Sequence, residues 1–119
     1  MMPRRTTLRV LVRVSKNIAS KVGLILGVLH LGAFFVVAAV IQRSADPQAP
    51  LLWGMFAIID FPISLVYVLG GTLYSHAPQF YNALRGVVYF PYLVHGLLGT
   101  AWWYFLPRIV TPRRLGGVW

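Results

Sequence analysis

Three ionisable side chains stand inside otherwise apolar stretches of this chain: His30, Asp60 and His95. An imidazole can donate, accept, carry a proton or bind a metal, and a carboxylate beside it fixes which ring nitrogen keeps the hydrogen. Two histidines and one acid therefore open two chemistries. Neutral imidazoles can ligate a buried cofactor, both on one haem b iron or singly on the magnesium of a chlorophyll or bacteriochlorophyll, with aromatic residues forming the pocket. The same three groups can relay protons or hold a quinone head group, as in a small proton-coupled transporter or channel. Against both stands a hydrogen-bonded polar cluster that ties helices together, worth about 0.6 to 2 kcal/mol per contact. The structural role is the expectation. His30 and His95 are the candidate cofactor ligands, and Asp60 is their polar partner.

These groups need elements that carry them to one place. Three apolar stretches of about 20 residues fit a hydrocarbon layer of roughly 30 Å: residues 22–41, 51–73 and 87–106. No stretch alternates apolar and polar residues as a barrel strand would, so helices are expected. His30 is nine positions into the first stretch and His95 nine into the third, and in a three-span protein those two run the same way. Asp60, ten positions into the antiparallel second stretch, comes to similar depth. A charged Asp at mid-membrane costs about 2.5 to 3.5 kcal/mol, so Asp60 is expected to be protonated, paired or turned toward protein. Pro62 removes a backbone donor and leaves the carbonyl of Ile58 without its usual helical partner, which predicts a kink beside the acid.

Composition supports the same architecture. With 119 residues there is room for one domain, and 58% hydrophobic against 11% charged residues lies outside the soluble range. The expected fold is an all-α integral membrane protein: a basic amphipathic segment over 1–21, a three-helix transmembrane domain over 22–106, and a basic tail over 107–119. Eleven Lys plus Arg against Asp46 and Asp60 give a net charge of +9. Six of the eleven lie in the first 21 positions and the others flank apolar stretches, a pattern for membrane topology rather than nucleic acid. The absence of cysteine excludes disulfides, thiolate metal sites and covalent haem attachment. The first apolar run exceeds the 7 to 15 residue core of a signal peptide, so it is expected to be retained.

In the basic segment Arg5, Arg9, Arg13 and Lys16 fall on one helical arc with Ser20, opposite Val10, Leu11, Val14 and Ile18. This face suits anionic lipid, at about 1 kcal/mol per cation, or an acidic partner subunit. An amino terminus on the cytoplasmic side puts seven Lys and Arg there and leaves Arg43, Arg108, Arg113 and Arg114 outside, which favours an external carboxyl terminus. Gly23 with Gly27, and Gly96 with Gly99 and Thr100, offer surfaces where helices can approach closely. The run from Trp102 to Phe105 with Arg108 reads as an interfacial aromatic belt, with Trp53, Tyr74 and Trp119 serving other helix ends. Residues 42–50 and 74–86 read as short connections, and Pro107 as the stop of the third helix.

No HExxH, GxSxG, P-loop or GxGxxG pattern occurs, and glutamate is absent. A metal site would have to draw on His30, Asp60, His76 and His95, of which His76 lies at a membrane edge rather than the midplane, so no metal-ion site or catalytic residue is assigned and the chain is not expected to be an enzyme. The expected role is a non-catalytic accessory subunit of a larger bioenergetic membrane complex, serving photosynthesis or respiratory electron transport and docked through the basic segment. A cofactor-binding anchor is the first alternative and a proton-coupled transporter the second.

Overall fold

A computed structural model of the protein describes residues 18–119, and every regular element among them is helical. Arg5, Arg9, Arg13 and Lys16 lie outside the described residues. Helix α1, Ile18–Arg43, has 26 residues and no proline. At 1.5 Å per residue it is about 39 Å long. It is the one described helix that is long and apolar enough to cross a membrane by itself.

The burial pattern of α1 follows the helical period. Ala19, Gly23, Gly27, His30, Phe34 and Ala38 are buried, at spacings of three and four. Leu24, Ile25, Val28, Leu29, Phe35 and Val36 are exposed. The inward face thus holds mainly glycine and alanine with a histidine and one phenylalanine, and the outward face is made of large apolar side chains, the reverse of a helix on a soluble core. The helix ends with Arg43 in its last turn, where a cation meets the negative end of the dipole. Asp46 then closes the turn, its Oδ1 accepting the Gln48 amide at 2.8 Å.

The second apolar stretch is two helices. A 3-10 turn, Ala49–Leu52, leads into α2, Trp53–Ile59, and a second 3-10 turn, Ile63–Leu65, leads into α3, Val66–His76. The interruption falls at Asp60, Phe61 and Pro62. The carbonyl of Ile58, which an α-helix would leave facing the proline nitrogen, accepts the Phe61 amide at 3.4 Å. The Ser64 amide reaches the Asp60 carbonyl at 3.1 Å. The expected kink is therefore a full break, and the backbone groups around it are satisfied by tight turns.

The next connection folds too. Ala77, at φ −142° and ψ 65°, lies outside the α region that a following proline disfavours, and α4, Pro78–Val87, begins on that proline. Residues 90–110 are then helical throughout: the π-helix Tyr92–Gly99 lies within them and α5, Thr100–Val110, follows. Helix α5 continues through Pro107 rather than stopping before it, and Thr111 returns its amide to the Pro107 carbonyl at 3.1 Å.

The described chain divides into two compact units, residues 30–100 and residues 18–29 with 101–119. In the first, Phe34, Ala38, Trp53 and Phe56 form a core joined by Leu31, Val37 and Ile41. In the second, Gly23 abuts the backbone of Tyr104, so a side chain at 23 would collide with it. There Arg108 donates to Ser20 Oγ at 2.9 Å and to the Tyr104 hydroxyl at 3.0 Å. Beyond α5, Arg113–Leu115 form a short 3-10 turn closed by Gly116 at φ 92°, a left-handed conformation suited to glycine.

Candidate functional site

His30, Asp60 and His95 meet within the unit of residues 30–100. Asp60 is fully buried and each of its carboxylate oxygens takes one imidazole: Oδ1 lies 2.7 Å from His30 Nε2, and Oδ2 lies 2.7 Å from His95 Nδ1. The second nitrogen of His30, Nδ1, is 3.1 Å from Thr100 Oγ1. An expensive acid in an apolar setting is thus held by two partners at charge-assisted distances.

Three local features set this geometry. The break after α2 puts Asp60 at a helix C-terminus, where exposed carbonyls favour the hydrogen-bearing imidazoles that face it. On the opposite wall, the π-helix brings residues five apart to one side, because its hydrogen bonds close from i to i+5. His95 and Thr100 are five apart, and through that turn both reach the cluster. Gly99 completes the wall: a Cβ built on it would stand 2.6 Å from Asp60 Oδ2, so only glycine leaves the carboxylate its place. Gly96 faces the Phe34 ring, where a Cβ would come to 3.0 Å.

An aromatic shell encloses the histidines. The His95 ring stacks on Trp53 at 5.8 Å with 9° between planes and touches Phe56 and Tyr67, each at 5.5 Å. The His30 ring meets Phe56 edge-on at 5.4 Å. Phe34 and Tyr92 pack on Trp53 from its other neighbours at 5.6 and 6.0 Å. Trp53, read from the sequence as part of an interfacial belt, is instead buried inside this shell.

Two buried polar atoms have no hydrogen-bond partner among the described residues: His95 Nε2 and Trp53 Nε1. The first decides the tautomer. A cluster of one acid and two imidazoles holds three exchangeable hydrogens when its net charge is zero, the state an apolar surrounding favours. Two occupy the bridges to Asp60. The third can go to His30 Nδ1, which faces an oxygen, or to His95 Nε2, which faces none. An unsatisfied buried N–H costs about 1 to 3 kcal/mol, so the third hydrogen belongs at His30 and His95 Nε2 presents a lone pair.

The remaining candidates lie elsewhere. His76 is exposed at the end of α3 and donates from Nδ1 to the Thr72 carbonyl at 2.9 Å. Gly27 is buried on α1. Among the described residues no group of three or more His, Cys, Asp or Glu side chains is arranged to hold a metal ion. Sequence pattern alone does not point to Phe34, Phe56 or Tyr67, gives Thr100 only a place on a packing surface with Gly96 and Gly99, and puts Trp53 at a helix end rather than in the interior. For Trp53 and Phe56 a signal existed, since positions 53, 56 and 60 share one helical face. For the contact of Thr100 with His30 none did, because five-residue spacing is out of phase with an α-helix. No protein-family model matches the chain, and no curated protein or solved structure is similar to it at a level that carries an argument.

Proposed function

We propose that this chain is a non-catalytic accessory subunit of a larger bioenergetic membrane complex, embedded by three crossings over 22–41, 51–73 and 87–106. The observation that carries the membrane reading is the inversion of polarity. Buried positions include His30, Asp60 and His95, whereas Leu51, Ile58, Val68, Leu69 and Leu97 are among the large apolar side chains left exposed. An exposed apolar surface of this extent calls for lipid or partner helices. Helical continuity over residues 90–110 supports a third crossing, and the pairing of Asp60 with protein removes the main obstacle to the second. Cytoplasmic amino and external carboxyl termini follow from the Lys and Arg distribution.

The same geometry weighs against two histidines on one haem iron. Both nitrogens of His30 face oxygens, so binding metal there would cost the contact to Asp60 or to Thr100. A cluster whose bonds are spent on holding helices together suits a subunit that supplies framework rather than redox chemistry.

The test is native electrophoresis of detergent-solubilised membranes carrying the tagged chain. Comigration with a larger complex, and a change in that complex when the chain is deleted, are expected. A tagged chain that migrates alone, with every major complex unchanged in its absence, ends the proposal.

A further inference from the structure

Two orphaned atoms of opposite character sit on neighbouring, nearly parallel rings. His95 Nε2 presents a lone pair and needs a donor, while Trp53 Nε1 is an N–H and needs an acceptor. Both rings are more than nine-tenths buried, at 0% and 7% exposure. A metal ion would answer only the histidine, and a carbonyl only the tryptophan. A hydroxyl answers both, because its hydrogen can go to Nε2 and its oxygen can accept from the indole.

The surroundings specify what carries the hydroxyl. Phe34, Phe56, Tyr67 and Tyr92 are the rings nearest to the pair. Phe34 and Tyr92 also line an open cleft of about 240 Å³ with Phe35, Ala38, Ala39 and Gln42. The cleft's lining includes neither Trp53 nor His95, so a head group seated in it would reach the pair only by displacing the Phe34 and Tyr92 rings; its volume exceeds the roughly 150 Å³ that takes a benzene ring in an enclosed apolar cavity. We infer that the Trp53–His95 edge is a binding site for the hydroxyl of a membrane-soluble phenol, of which a hydroquinone is the type, entering past the Phe34 and Tyr92 rings. Neither the proposed accessory role nor the identity of the complex is needed for this inference.

The site then discriminates oxidation state. A hydroquinone supplies both the donor and the acceptor. Its oxidised quinone supplies acceptors only and leaves His95 Nε2 facing a second lone pair, and a buried mismatch of this kind produces large discrimination in binding. Asp60 holds the His95 ring in the required tautomer through Nδ1, which makes it a positioning residue for the ligand.

The experiment uses the full chain in detergent with nitrogen-15 in histidine and indole, titrated separately with decylubiquinol and decylubiquinone. The expected result is binding of the reduced form at least about tenfold tighter than the oxidised form, with shifts at one histidine Nε2 and one indole N–H. Trp53→Phe keeps a stacked ring without the N–H, and it should weaken binding of the quinol by about tenfold. Equal affinity for the two forms, or no binding with both resonances unmoved, overturns the inference and leaves the pair to a buried water. A histidine-ligated spectrum on adding iron protoporphyrin, lost in His95→Gln, overturns it in favour of metal ligation. Should Trp53→Phe fail to fold, the comparison of quinol with quinone on the unaltered chain decides alone.

Discussion

A methyl group placed on Gly99 would stand 2.6 Å from Oδ2 of Asp60 and 2.8 Å from its Cγ, so alanine there forces the carboxylate away from its imidazoles. Overpacking of this kind costs about 1 to 3 kcal/mol, and here the displaced group is polar and has no water to turn to. Gly99→Ala is therefore expected to lower the thermal midpoint in detergent, whereas Gly54→Ala, with nothing within 4 Å of the new Cβ, should leave it unchanged or raise it. Equal midpoints for the two variants would show that the carboxylate is not confined by Gly99. The acid itself gives a graded series. Asp60→Asn keeps one acceptor and the shape, and one histidine can answer the new amide by changing tautomer. Asp60→Leu removes both acceptors and strands two buried N–H groups, at about 1 to 3 kcal/mol each. The leucine variant should be the less stable by unfolding in sodium dodecyl sulfate, despite its better transfer into lipid. The reverse order would mean that desolvating Asp60 outweighs the two hydrogen bonds, as happens at some buried ion pairs.

At the scale of elements, the π-helix is what brings Thr100 to His30. If one residue were removed from it, the segment could close as an ordinary α-helix, and the positions after the deletion would rotate relative to His95. Deleting Leu97, exposed at 64%, removes little packing of its own. Its effect should nevertheless exceed that of Thr100→Val, which loses one hydroxyl and about 1 kcal/mol, because the deletion misplaces Gly99 and Thr100 together. Thermal unfolding followed by circular dichroism compares them, and a deletion as mild as the valine variant would deny the π-helix its positioning role. This element also marks where the sequence stops being legible. Counting along the apolar runs puts His30, Asp60 and His95 at matching positions, and their meeting follows from the cost of leaving Asp60 unpaired. Which nitrogen faces which oxygen could not be read, since it depends on an i to i+5 turn that no 3.6-residue period announces. Pro62 announced a disturbance but not its size, because a proline removes one bond and neighbouring turns decide whether the helix bends or ends. The apparent connection over 74–86 hid α4, whose Pro78 suits a first helical position as well as it suits a loop.

For the whole molecule the decisive question is whether and how many times it crosses a bilayer, since among the described helices only α1 meets the length and polarity requirement unaided. A chain without cysteine allows single thiols to be introduced against a silent background. Ser44 follows α1, Ser75 lies at the end of α3 and Val118 lies beyond α5, and all three are exposed. With three crossings and a cytoplasmic amino terminus, Ser44→Cys and Val118→Cys face outward and Ser75→Cys faces the cytoplasm. An impermeant maleimide applied to intact cells should label the first two and reach the third only after permeabilisation. If α1 alone crosses, all three thiols share one side and label together. The exposed apolar side chains favour the first pattern. Phe61, Leu65, Val68 and Leu69, flanking and following the break, are exposed and apolar, and in water each large side chain costs about 1.5 to 3 kcal/mol relative to burial. Four such residues outweigh the roughly 2.5 to 3.5 kcal/mol for inserting one acid, and that cost is itself reduced when Asp60 enters already bound to His30 and His95. The second stretch should therefore enter the bilayer as a broken helix, carrying its acid on the protein side.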